Sequence, residues 1–222
     1  MIKMRKNIPI FVITLISTIS LSFNFILFNR LSEQNRVVEV VDGDTFQLKS
    51  GKRVRLIGVD APEYNRCGGA ESKNRLKEFI LGQKVTLKEE VQETFGRSLA
   101  LVYLNNQLIN KIMLEEGWGR TDYRKNSQRD KLTAAFHFAQ QKRLGVFSSL
   151  CRIPSDQSDL LVPSSNCLIK GNIDKNTYKK FYHLPNCKHY NQIILEKDIG
   201  ERYFCSEEEA SRAGYFKASG CP

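Results

Sequence analysis

Two tight-turn signals in quick succession, Asp42-Gly43-Asp44 and Ser50-Gly51-Lys52, constrain this chain more than any other feature. Around them the sequence is rich in β-branched and apolar residues, from Val37 to Val41, from Thr45 to Leu48 and from Arg53 to Val59. Runs of that composition cut by glycine-containing turns read as an antiparallel three-strand meander. Asp60 ends the third run, because Pro62 cannot donate to a ladder and biases Ala61 toward extended backbone. Glu63 therefore falls on a loop just beyond a sheet edge. The meander gathers Asp44, Asp60 and Glu63, with Arg55 among them, into one small region.

That gathering has a chemical reading. Aspartates at the ends of adjacent strands offer hard oxygen ligands to a cation such as Ca²⁺, and a neighbouring glutamate can deprotonate a water. Without a cation the carboxylates repel one another. Arg55 then serves a phosphate through its planar fork of donors. The combination suits phosphodiester hydrolysis, with a metal polarising the phosphoryl group and arginines taking up the growing charge. Each residue alone also reads as ordinary turn or surface sequence.

The runs V-D-G-D-T at Val41 to Thr45, R-L-I-G-V-D-A-P-E at Arg55 to Glu63 and F-G-R-S-L-A at Phe95 to Ala100 resemble the staphylococcal-nuclease-like thermonucleases. The resemblance spans roughly Arg36 to Leu150. It implies that Asp44 and Asp60 bind one Ca²⁺ with the backbone carbonyl of Ala61, and that Asp42 lies close to the ion. It implies Glu63 as general base and Arg55 and Arg97 as the arginines that hold the phosphate. It also implies cleavage of DNA and RNA to leave 3′-phosphate ends. The chain departs from the family's best-known member in having Ala61 for threonine, Phe95 for a substrate-contacting tyrosine, and a short Tyr64-Asn65-Arg66-Cys67-Gly68-Gly69 stretch where that member has a long basic loop.

Beyond the meander, helices are expected at Glu71 to Leu81, Leu108 to Glu116 and Ser127 to Leu144, with strands at Lys84 to Val91 and Arg97 to Leu104. Five strands with three helices fit an OB-fold barrel, a mainly β, α+β architecture with a nucleic-acid-binding face. Tyr123, in a basic run with Arg120 and Arg124, is a candidate to stack on a base. Trp118 reads as core and His137 as a surface histidine. The alternative to an enzyme is a non-catalytic OB-fold module that binds nucleic acid or an envelope partner, since one fold hosts many functions.

The flanks set the context. Lys3, Arg5 and Lys6 precede an uncharged stretch from Asn7 to Asn29, long enough to cross ~30 Å of hydrocarbon. Residues 1–35 are expected to be an uncleaved transmembrane anchor that places residues 36–151, the nuclease region, outside the cytoplasm; the alternative is a secreted protein after signal cleavage near Ser20 to Asn24. Six cysteines then suggest disulfides, with Cys67 and Cys151 a plausible pair. Residues 152–166 read as linker. Residues 167–222 read as a small Cys-rich domain holding Cys167, Cys187, Cys205, Cys221 and His183. It loosely resembles the zinc-binding module of Ada-type repair proteins. Disulfides are favoured over Zn²⁺ there on grounds of compartment. The net charge of +10 suits DNA and RNA as partners, or an anionic membrane surface; no protein partner is inferred and a monomer is expected.

Overall fold

The computed structural model describes residues 15–24, 33–93, 96–122, 124–153, 167–175 and 177–222. Residues 15–24 form helix α1. Among the described residues no helix is long and apolar enough to cross a membrane, so the expected transmembrane helix is not seen; the remainder of that apolar stretch lies outside the described residues.

The meander forms as its turns dictate. Strands β1 (Val37–Val40), β2 (Thr45–Leu48) and β3 (Arg53–Leu56) pair antiparallel, with Val40 opposite Phe46 and Phe46 opposite Val54. The pleat sends alternate side chains to opposite faces. Phe46, Leu48, Val54 and Leu56 are fully buried on one face, while Gln47, Arg53 and Arg55 stand on the other. Helix α2 (Gly69–Ile80) follows, then β4 (Thr86–Gln92) and β5 (Arg97–Leu104).

Strand β5 runs parallel to β3, with Arg97 opposite Arg53 and Leu99 opposite Arg55, giving the order β1-β2-β3-β5-β4. An isolated bridge between Arg36 and Lys84 draws the two outer strands together, as barrel closure requires. A short β6 (Gln107–Leu108) pairs with β5, so the sheet has six strands instead of the five expected; the Asn105-Asn106 turn, at positive φ, folds the chain back.

Helices α3 (Ile109–Glu115) and α4 (Arg129–Lys142) complete this first unit. Helix α4 ends before Gly145 because Arg143 already adopts the left-handed conformation. Buried Asn110 on α3 does connecting work. Its amide accepts from Val102 N at 2.8 Å and donates to Ile57 O at 2.9 Å and Ala100 O at 3.1 Å, fixing the turn that leads from β3 to Asp60.

The chain after α4 is built differently. Arg152 and Ile153, read from sequence as linker, are instead strand β7, paired with β10 (Leu195–Glu196). The physical reason is backbone pairing that a composition rich in Pro and Ser further on does not reveal; residues 154–166 lie outside the described residues. Strands β8 (Ile169–Ile173), β9 (Lys180–His183), β11 (Arg202–Phe204) and β12 (Phe216–Lys217) form a second sheet in the order β11-β8-β9-β12. Helix α5 (Glu207–Arg212) is capped by Ser206, whose side chain accepts from Glu209 N at 3.1 Å.

Ile169, Tyr182, Phe204, Ala210 and Tyr215 make a small separate core. A core that size needs staples. Cys167–Cys205 and Cys187–Cys221 supply them, and Cys67–Cys151 is the third disulfide.

Candidate active site

The turn between β1 and β2 brings the first two acids together. Asp42 Oδ1 accepts from Asp44 N at 3.0 Å. Gly43 allows the turn to press against its neighbours: a Cβ there would lie 2.0 Å from Ser72 Oγ and 2.7 Å from Ala61 Cβ, so no larger residue fits. Asp44 is buried at 3% exposure. Its Oδ1 accepts from Thr45 Oγ1 at 2.7 Å and its Oδ2 from Ala61 N at 3.0 Å. That last bond joins the first turn directly to the loop carrying Asp60 and Glu63.

Arg55 stands on β3 between the two. One nitrogen, Nη2, meets Asp44 Oδ2 at 2.9 Å and Asp60 Oδ1 at 2.7 Å. Asp60 itself is exposed and held through its main chain, its N–H donating to Arg120 O at 2.7 Å while Arg120 N donates to Asp60 O at 2.8 Å. Three carboxylates thus crowd around one guanidinium. Burial pushes the Asp44 carboxyl up to about 7; Arg55 pulls it down and the charge of Asp42 pushes it further up. Such a group is short of positive charge.

Glu63 is exposed just beyond this cluster, at the head of the loop that enters α2. The helix packs against its backbone so closely that a Cβ at Gly69 would lie 2.1 Å from Glu63 O. Cys67, tied to Cys151, secures the same loop from its far end.

Arg97 opens β5 on the same face as Arg53 and Arg55, as its register opposite Arg53 requires. Its Nε donates to Glu93 Oε2 at 3.1 Å, and the other oxygen of Glu93 takes Arg124 Nη1 at 2.8 Å. Arg124 Nε in turn lies 3.2 Å from Asp122 Oδ2, and burial raises the pKa of Asp122 despite attraction from Arg124 and Arg55. Of the residues named from sequence, Asp44, Asp60 and Arg55 are in direct contact, Arg97 stands on the same face as Arg55, and Glu63 follows Asp60 on the exposed loop. Thr45, Glu93, Asp122 and Asn110, which orient them, were not named. A buried partner leaves no periodic or motif signal in one sequence.

Other candidates fall elsewhere. Tyr123 and Phe95 lie outside the described residues. Arg120, read from sequence as part of the basic run around Tyr123, is engaged by the C-terminal unit: its guanidinium pairs with Asp198 at 2.7 Å and Glu196 at 3.0 Å. His137 is exposed. His183 lies within 4.8 Å of Cys187 and Cys221, a grouping able to hold a metal ion, but those two sulfurs are joined to each other.

The donors around Asp44 fit Ca²⁺. They are hard oxygens, negatively charged in excess of their cation, and open to solvent at Asp60.

Comparison with known proteins agrees with this geometry. A family model described as "Staphylococcal nuclease homologue" matches residues 53–149. The thermonuclease of Staphylococcus hyicus is 32% identical over 136 residues, covering 55% of this chain and 80% of that protein. The micrococcal nuclease of Shigella flexneri is 31% identical over 129 residues, covering 52% of this chain and 74% of its own length. An endonuclease of Haemophilus influenzae is 33% identical over 117 residues, covering 51% and 65%.

Proposed function

The chain belongs to the staphylococcal nuclease family and is a phosphodiester-hydrolysing nuclease, and from that premise we propose that it is a calcium-dependent endonuclease of DNA and RNA that leaves 3′-phosphate ends and acts outside the cytoplasm. The observation that carries this reading is Arg55 Nη2 serving both Asp44 and Asp60, so that carboxylates outnumber their cation on the face that also carries Arg97.

Asp44, Asp60 and the carbonyl of Ala61 would hold Ca²⁺, with Asp42 alongside. When bound, the ion polarises the phosphoryl group and offsets the carboxylate charge. Arg55, which stands between the two acids that would hold the ion, would donate to a phosphate oxygen. Arg97, from the neighbouring strand, donates to another and stabilises the charge that grows as phosphorus becomes five-coordinate. Exposed Glu63 takes the proton from the attacking water. An extracytoplasmic setting is supported by the pairing of all six cysteines. Residues 36–151 act as the catalytic domain in this reading, and 167–222 as a separate disulfide-stapled one.

Plasmid digestion tests it. The purified protein should cut DNA and RNA with Ca²⁺ and stop with chelator, and Glu63→Gln should lose at least about a thousandfold in rate. Full activity in chelator, or in Glu63→Gln, rules the reading out. End-labelling of the products decides the 3′-phosphate.

A further inference from the structure

The loop carrying Asp60 and Glu63 is held from behind by residues that lie far away in sequence. Arg120 is the link. Its main chain makes both bonds of the bridge to Asp60, and its side chain reaches into the C-terminal unit. There Nε donates to Asp198 Oδ2 at 2.7 Å and Nη2 to Glu196 Oε2 at 3.0 Å. Both carboxylates are nearly inaccessible, at 1% and 7% side-chain exposure.

The acids are themselves anchored. Glu196 also meets Arg152 at 2.9 Å and Lys175 at 2.9 Å, and its N–H donates to Glu201 Oε2 at 2.8 Å. The guanidinium groups of Arg120 and Arg152 lie 5.3 Å and 5.1 Å from the centre of the Phe147 ring. Lys197 N donates to Cys151 O at 2.9 Å, next to the disulfide that secures the Glu63 loop. On that same loop, Arg66 lies near Gly200, with its Nε 3.6 Å from where a Cβ would stand.

We infer that Arg120 is a positioning residue for the metal ligand Asp60, and that Asp198 and Glu196 of the C-terminal unit set its position. The inference rests on the proposed calcium site. Asp60 is exposed, and apart from the contact of its carboxylate with Arg55 its geometry follows the backbone that carries it. Both the N–H and the C=O of Asp60 pair with Arg120, and Arg120 is fixed by two buried charge-assisted contacts. The C-terminal unit thereby becomes part of the catalytic apparatus without touching substrate.

Two readouts on the full chain test this. The first is amide hydrogen exchange in calcium-free protein. Asp198→Asn should lower protection of the Asp60 and Arg120 amides by about tenfold or more while leaving β2 and β5 amides unchanged. The second is the Ca²⁺ concentration giving half-maximal cleavage, which should rise on the order of tenfold, with the rate at saturating Ca²⁺ within about twofold of the parent.

Arg120→Lys, which keeps the charge but loses the fork, should fall between parent and Asp198→Asn on both measures, and carries the test if Asp198→Asn does not fold. Arg212→Ala, which removes only an exposed ion pair with Glu208 on α5, keeps every contact of Arg120, Asp198 and Glu196 and should move neither. Unchanged protection and an unchanged Ca²⁺ midpoint in Asp198→Asn or Arg120→Lys overturn the inference, as does an equal shift in Arg212→Ala. A parent enzyme indifferent to chelator instead sinks the calcium reading, and the exchange measurement still reports on the link between Asp198 and Asp60.

Discussion

The acids around Arg55 and the acids around Arg120 are joined by one backbone bridge and differ in how much positive charge the protein gives them. Asp42, Asp44 and Asp60 share Arg55, and burial leaves the Asp44 carboxyl near 7. Burial would raise Glu196 as well, but Arg120, Lys175 and Arg152 outweigh it and hold that carboxyl below its ordinary range. A cluster whose cations are built in is architecture. A cluster whose cations are missing is a place for an ion to arrive, and the instability of the empty arrangement is part of the affinity.

The largest test of this contrast is removal of charge from each cluster. Asp44→Asn should cost roughly a thousandfold in cleavage rate, in line with losing a preorganised electrostatic group. Its unfolding free energy in chelator at pH 8 should be unchanged or higher, measured by urea titration. A large loss of stability there would mean that Asp44 is structural after all. Glu196→Gln should do the reverse and destabilise by about 3 kcal/mol, because buried cations lose their partner. Its rate at saturating Ca²⁺ should stay close to the parent.

Asn110 belongs to neither cluster yet orients the turn before Asp60. Asn110→Ala leaves Val102 N and Ile57 O short of a partner in the core, and should cost about 2 kcal/mol by the same titration.

The pH dependence of stability should carry opposite signs in the two places. With its folded pKa raised, Asp44 keeps a proton that the unfolded chain has released, so metal-free stability should fall as pH rises from about 4 to about 7. The effect should be on the order of 2 kcal/mol, discounted for the coupling to Arg55. Calcium should add progressively more stability over the same interval. The contribution of Glu196, whose pKa is lowered, is present at neutral pH and is lost only as pH falls below the ordinary glutamate range. Thermal melts with and without chelator across this range read both signs. The smallest effect expected is at the far cap: Ser206→Ala should cost about 1 kcal/mol and leave cleavage untouched.

Legibility followed locality. The turns at Asp42-Gly43-Asp44 and Ser50-Gly51-Lys52 and the alternation of Phe46, Leu48, Val54 and Leu56 are rules of adjacent residues, so the meander could be read directly, whereas its third strand stops at Leu56 in a turn and does not run on to Val59 as expected. Helix limits shifted by a residue or two, because Gly69 and Arg143 end their helices through close approach and left-handed backbone that composition does not encode. Arg120 was misread for a plainer reason. A basic residue in a basic run looks free until its partners, Glu196 and Asp198, are seen to arrive from much later in the chain.

The order of residues determined which groups could meet at the site, since period, turn chemistry and spacing act within a few positions. Only tertiary structure decided how much charge each carboxylate keeps. Ionisation of a buried acid depends on burial and on every cation within a few ångströms, and those cations come from strands and loops whose proximity exists only once the chain is folded.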